Sequence, residues 1–194
     1  MPKLTREDLY SLEKYAEVRA DFRAKVIAHK KDRRLPLGEH AALYFEDALT
    51  VQYQVQEMLR IERIFEAKGI QEELEVYNPL VPDGHNWKAT FMVEYPDEAE
   101  RRVALAGLVG IEEKIWMQVE GFEPVYAIAN EDLVRSTADK TASVHFMRFE
   151  LSPGMVAAVK QGAAISAGIA HPNCTVSLSP VPAPLRDTLA ADLA

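Results

Sequence analysis

The chain has 194 residues, 48% hydrophobic and 27% charged, a balance that fits a folded globular protein and excludes a disordered one. Its 30 acidic and 22 basic residues give a formal charge of −8, which argues against charge-driven binding to nucleic acid or to an anionic membrane. Cys174 is the single cysteine, so no internal disulfide, CxxC pair or multi-cysteine metal centre can be assembled from this chain.

The first residues, MPKLTREDLYSLEKY, lack the apolar core of a secretion signal, and no run approaches the length of a membrane span. The expectation is a cytoplasmic protein. Thr5, followed by Glu7 and Asp8, reads as the cap of a helix running to about His29, with Leu12, Tyr15, Phe22 and Val26 as its apolar stripe and Arg19 interrupting it. The basic run from His29 to Arg34 falls where that helix ends, and cations there complement the C-terminal dipole. After Leu35–Pro36–Leu37–Gly38 the pattern predicts a long helix from near Ala41 to Lys68, stopped by Gly69. One or two further helical turns fit 70–77.

From Asn86 the period changes to two. Trp87, Ala89, Phe91, Val93 and Tyr95 predict a half-buried strand, and Pro96–Asp97 opens a short helix ending at Gly107 or Gly110. KIWMQV and EPVYAIA read as strands joined near Glu120–Gly121, and another strand spans about Ser143 to Leu151. Ser152–Pro153 starts a helix with proline at its first position. AAISAGIA and CTVSLS are two more strands around the turn His171–Pro172–Asn173–Cys174, and a proline-rich lead precedes a terminal helix. The expected fold is α+β in a single domain: an N-terminal helical pair over 1–69, then a mostly antiparallel sheet with flanking helices over 70–194.

The motif search is largely one of exclusion. There is no GxxxxGK[ST] and no HExxH, and Gly107 and Gly110 end a helix instead of opening one. None of the five histidines has a Glu three residues before it, so the paired Glu-x-x-His set of a di-iron bundle is absent. Ser166 in AISAG lacks the strand-to-helix context of a nucleophile elbow. Neither a metal nor a cofactor is called for. Of the histidines, His145 shares a strand face with Met147, Phe149 and Leu151, and His85 and His171 fall in loops.

One stretch holds a misplaced charge. In VQYQVQEMLRIERIF, Val51, Val55, Met58 and Phe65 fall on one side of a helix and Glu62 lands among them, with Gln52 and Gln56 along the edge. A buried Glu62 would need a cation or a raised pKa. Arg19 is a poor partner, because an antiparallel hairpin leaves roughly 16 Å between them at 1.5 Å per residue. Either Glu62 snorkels to solvent, or Gln52, Gln56 and Glu62 form a polar seam between helices and sheet. In the second case Glu57, Glu62 and His145 are the candidate acids and bases, and Arg60 and Arg63 the candidate anion-orienting groups.

The stretches VQYQVQEMLRIERI, NPLVPDGHNWKATFMVEYPDEAERRVAL and GIEEKIWMQVEG, in that order, resemble a bacterial family known as a domain of unknown function. The likeness extends to the terminal PVPAPLRDTLAADL and carries over no functional residue. It implies genes encoded near rubrerythrin-like proteins and iron–sulfur oxidoreductases. The function it implies is a non-catalytic accessory protein for a redox or peroxide-defence system, contacting such a partner through the helical pair. The alternative is a small enzyme or ligand sensor with a polar pocket around Glu62. The long N-terminal helix also leaves room for a homodimer.

Overall fold

Trp87, Ala89, Phe91 and Val93 alternate with Asn86, Lys88, Thr90 and Met92, and this period of two builds one long strand over Asn86–Val93. The computed structural model describes residues 3–132, 135–137 and 139–194. The strand is the middle of a five-stranded sheet ordered β1 (Arg34–Pro36), β2 (Ala41–Phe45), β3 (Asn86–Val93), β7 (Val144–Glu150) and β6 (Ile128–Ala129). A four-stranded sheet runs β5 (Val125–Tyr126), β4 (Ile115–Val119), β8 (Ile165–His171) and β9 (Cys174–Leu178). All pairings are antiparallel. Residues 125–129 serve both sheets: Val125 and Tyr126 pair with β4, while Ile128 and Ala129 pair with β7.

The inward faces of the two sheets share one core. Trp87, Phe91, Met147 and Phe149 come from the first sheet, and Ile115, Met117, Val119, Ile165 and Ile169 from the second. Helices α5 (Pro153–Lys160) and α6 (Ala183–Ala191) close it with Met155, Val159, Leu185 and Leu189. The Trp87 indole N–H donates to Leu189 O at 3.0 Å, which satisfies a donor that would otherwise be stranded in the core. Helix α4 (Glu98–Gly107) brings Leu105 and Leu108 to the same cluster.

The N-terminal helices make a separate layer with its own small cores. Helices α1 (Leu12–Lys30) and α2 (Ala48–Glu62) pack through Tyr15, Phe22, Val26, Leu49 and Tyr53. Helix α3 (Ala67–Tyr77) joins them through Val51, Val55, Leu59 and Leu74. The fold is α+β, with its chief departures from the sequence reading in the first 69 residues. These do not form a helical pair alone. Arg34–Pro36 and Ala41–Phe45 are strands, because alternate apolar residues there reach the sheet core, and α2 starts only where Asp47 caps it by accepting from Thr50 N at 2.9 Å. The predicted 41–68 helix ends at Glu62, because Arg63 adopts a left-handed conformation (φ 56°), and Gly69 lies inside α3. At the N-terminus the Thr5–Asp8 capping box closes only a short 3₁₀ turn, and Ser11 caps α1.

Arg33 joins these layers. Its side chain, 3% exposed, donates to Phe45 O at 3.1 Å and Glu46 O at 3.2 Å, and pairs with Asp192 after α6 and with Asp47 at 3.3 Å. His29, near the end of α1, bonds the same Asp47 carboxylate. Burial pushes the Asp192 carboxyl up to about 6 although Arg33 opposes it. Burial works the same way on Asp47, but Arg33, the Thr50 N–H and His29 outweigh it and hold that carboxyl low.

Replacing the cation should therefore be costly. Arg33→Met strands two buried carboxylates and is expected to lose about 3–5 kcal/mol in urea unfolding. A second outcome concerns pH. The native state holds the Asp192 proton more tightly than the unfolded chain, so this group's contribution to stability declines as pH rises from 3.8 to about 6. Asp192→Asn should flatten the stability profile across that window by on the order of 2 kcal/mol. An unchanged difference between pH extremes would contradict the assignment.

Candidate functional site between the helical layer and the sheet

On the face of the five-stranded sheet away from the core, Lys88 of β3 stands directly across from Arg148 of β7, and Thr90 stands across from Phe146. Ile128 of β6 continues the row beyond Arg148. The helical layer lies over this face but does not fill it. A cleft of about 390 Å³ remains, with Gln54, Tyr77 and Leu80 on the helical side and Lys88, Phe146 and Arg148 on the sheet side.

The charges lining this cleft are compensated with one exception. Arg148 holds Glu131 by two parallel hydrogen bonds of 2.9 and 2.8 Å and also pairs with Glu150. The Arg135 guanidinium sits 4.7 Å over the Phe146 ring and pairs with Asp132 at 2.7 Å. Lys88 is half-buried, and among the described residues its ammonium has no hydrogen-bond or ion-pair partner. Burial lowers its pKa, the neighbouring Arg148 cation adds to that, and Glu131, Asp83 and Glu150 oppose it. Arg148 holds Glu131 in its charged form, and burial raises the Tyr77 phenol, which stays protonated. The cleft thus presents an amine, a phenol and an aromatic face, and the amine is the group without a partner.

A second hollow, of about 260 Å³, lies where β1 and β9 approach under α4. Its wall is mainly Leu37, Val93, Leu108, Ile111 and Val176, with the His40 ring stacked 3.9 Å from Tyr95 at one side. Cys174 faces it, and burial pushes that thiol up, away from the reactive thiolate. Among the described residues no group of three or more His, Cys, Asp or Glu is placed to hold a metal ion.

The residues singled out from the sequence are partly brought together, but not around this cleft. Gln56 is fully buried and its Oε1 accepts from Tyr10 N at 2.6 Å, while Gln52 donates to Asp8 O. These bonds strap the N-terminal segment onto α2, whereas the expected seam joined Gln52 and Gln56 to Glu62 between helices and sheet. Glu57 accepts from Arg19 at 2.7 and 2.8 Å and from the Tyr15 hydroxyl at 2.7 Å, with Arg60 at 3.5 Å. Glu62 and Arg63 are exposed at the end of α2. Phe65, expected on the buried stripe, is 72% exposed beyond the helix end.

His145 lies on the opposite face of the sheet, among core residues, and is fully buried. Its Nε2–H donates to Ala142 O at 3.0 Å and Nδ1 accepts from Asn130 Nδ2 at 3.0 Å. Burial keeps the ring neutral, with Glu112 acting against that. The arrangement ties Asn130 and Ala142 to β7. Sequence reasoning missed Lys88 and Arg148, because each sits at the outward position of a clean alternation and reads as solvent-facing. The signal was the charge itself, placed in NWKATFMV and HFMRFEL runs that are otherwise nearly all buried.

The Arg19 guanidinium and the Tyr15 hydroxyl, working against burial, hold Glu57 at about 2. Its contribution to stability is present above 4.5 and is lost as pH falls toward 2. Glu57→Gln should abolish that acid-side loss, on the order of 1 kcal/mol after solvent screening, as measured by thermal unfolding across the acid range.

The comparisons with known proteins point one way. A family model described as "Protein of unknown function (DUF3501)" matches residues 3–193. The chain is similar to the crystal structure of a novel protein of unknown function from Burkholderia pseudomallei K96243, with 50% identity, full coverage of both chains and a TM-score of 0.94. No curated protein matches the chain. No helix among the described residues is long and apolar enough to cross a membrane.

Proposed function

The chain belongs to the DUF3501 family, whose function is not established, and from that premise we propose that it is a ligand-binding protein whose interlayer cleft takes a small carboxylate-bearing molecule. The observation that carries this reading is Lys88. It is a half-buried cation without a hydrogen-bond or ion-pair partner among the described residues, while each arginine beside it already has a carboxylate. A half-desolvated ammonium facing a cavity gains most from an anionic group brought to it, since a charge-assisted hydrogen bond is then made where water access is poor. A cleft of about 390 Å³ suits a molecule of metabolite size. The pocket lies between helices and sheet, as a ligand sensor or small enzyme would place it, with Gln54 and Tyr77 above and Lys88 below.

Isothermal titration with acetate, pyruvate and succinate tests this directly. At least one should bind saturably, and Lys88→Met should weaken it by about tenfold or more. Absence of binding at millimolar concentration for all three would remove the reading.

A second reading, the accessory protein of a redox or peroxide-defence system, rests on the family resemblance and on one surface feature. Ile61 and Phe65 are 62% and 72% exposed, and Phe65 borders a groove with Leu9, Leu12, Leu59 and Ile70. Exposed aromatics beside apolar grooves mark contact surfaces. An iron–sulfur oxidoreductase or rubrerythrin-like partner docking here should co-purify with the wild type, and Phe65→Asp should reduce that association at least about tenfold. A Phe65-dependent homodimer seen by light scattering would assign the surface to a second copy instead.

A further inference from the structure

Lys88 has neighbours that suit it to more than electrostatic binding. Its amine opens into a cavity, it stands across from a guanidinium that disfavours a second positive charge, and the protonated Tyr77 phenol lines the same cleft. Glu131 and Glu150 neutralise Arg148 but remain beyond ion-pair distance of Lys88, so nothing among the described residues locks the amine in its ammonium form. From these groups we infer that Lys88 is a carbonyl-reactive amine that condenses with a 2-oxo acid bound in the cleft. The inference rests on the ligand-binding reading above and deepens it by naming the substrate class and the reacting atom.

The step balances without any redox partner. The neutral Nζ attacks the carbonyl carbon, a C–N bond forms, and the carbonyl π pair moves to oxygen. The attacking nitrogen gives up one proton and that oxygen takes one up, to give the neutral carbinolamine. The Tyr77 hydroxyl in the cleft then protonates the oxygen as the nitrogen lone pair expels it as water, which leaves an iminium between Lys88 and the former carbonyl carbon, and the phenolate takes back the iminium proton when the neutral imine forms. The sum is amine plus carbonyl giving imine plus one water. A 2-oxo acid fits better than a simple aldehyde. Its carboxylate stays next to the iminium charge once the condensation has placed that charge at Lys88. Lysines that do this chemistry are those whose ammonium is disfavoured by desolvation or a second cation. Here the facing groups are Arg148, Glu131, Glu150, Asp83, Asp132, Arg135 and Tyr77.

The test uses pyruvate as probe on the full chain, with reduction by cyanoborohydride at neutral pH and peptide mapping by mass spectrometry. The expected adduct is heavier than Lys88 by the mass of pyruvate less one oxygen. It should form at Lys88 faster than at any other lysine, since burial and the neighbouring Arg148 cation leave more of this amine uncharged. Lys88→Arg should give no adduct there yet still bind pyruvate by titration, and Tyr77→Phe should slow adduct formation without changing its site. Saturable pyruvate binding without an adduct at Lys88 would overturn the imine and leave the ligand-binding reading standing. Loss of both binding and adduct would overturn both. Equal labelling of all lysines would also overturn it, and this outcome is read from the wild-type protein alone should a variant fail to fold.

Discussion

The buried Arg33 cluster is the constraint on which the arrangement of layers depends. A guanidinium that is 3% exposed must have every donor met, and here the donors are spent on elements far apart in sequence: Phe45 and Glu46 after β2, Asp47 at the cap of α2, and Asp192 after α6. Neighbouring groups extend the cluster. Asp47 caps α2, His29 ties α1 to the same carboxylate, and the backbone of Leu189 in α6 takes the Trp87 indole proton at the centre of the sheet. The helical layer and the terminal helix are thus fixed relative to β3 by polar contacts. Apolar area alone would leave more freedom, since the small helical clusters are separate from the main core. Replacing such a cluster with apolar residues is often tolerated energetically, so its contribution here lies in fixing one arrangement.

That fixed arrangement explains the cleft. With α2 and α3 held over the outer face of the five-stranded sheet, residues that alternation turns away from the core become interlayer residues. Thr90 answers this burial by donating to Glu46 at 2.8 Å, and Glu46 in turn accepts from Thr50 of α2 at 2.6 Å. Two residues earlier on the same strand, Lys88 has no such answer. Where the layers touch closely, polar groups are paired; where they diverge, the space remains and the cation faces it.

How much of this was legible follows from what alternation can and cannot report. Strands β3, β4, β7, β8 and β9 are readable because one face of each is apolar apart from His145 and His171, and α4, α5 and α6 because proline and acidic starts mark them. Residues 34–45 misled because RLPLGEHAALYF carries helix formers in a stretch that tertiary pairing pulls into the sheet. Gln52 and Gln56 stand out by their position on α2. Their role is hidden, since their partners are the backbone groups of Asp8 and Tyr10, which no side-chain pattern announces. The cleft was hidden for a similar reason. A strand's outward face looks the same in sequence whether water or a second layer covers it, so Lys88 read as solvated.

Among the described residues no buried side-chain nitrogen or oxygen lacks a partner. Folding has therefore met its polar obligations throughout, including the demanding ones at Arg33, Gln56, Glu57 and His145. Against that background the open amine of Lys88 carries a different meaning. A methionine or leucine at this position would cover the Phe146 and Tyr77 surfaces without desolvating a charge next to Arg148, so packing alone gives no reason for a lysine. Sites that depart from otherwise consistent local rules are where function is expected to sit, and the departure here is one atom, Nζ of Lys88, facing a cavity large enough to hold its counterpart.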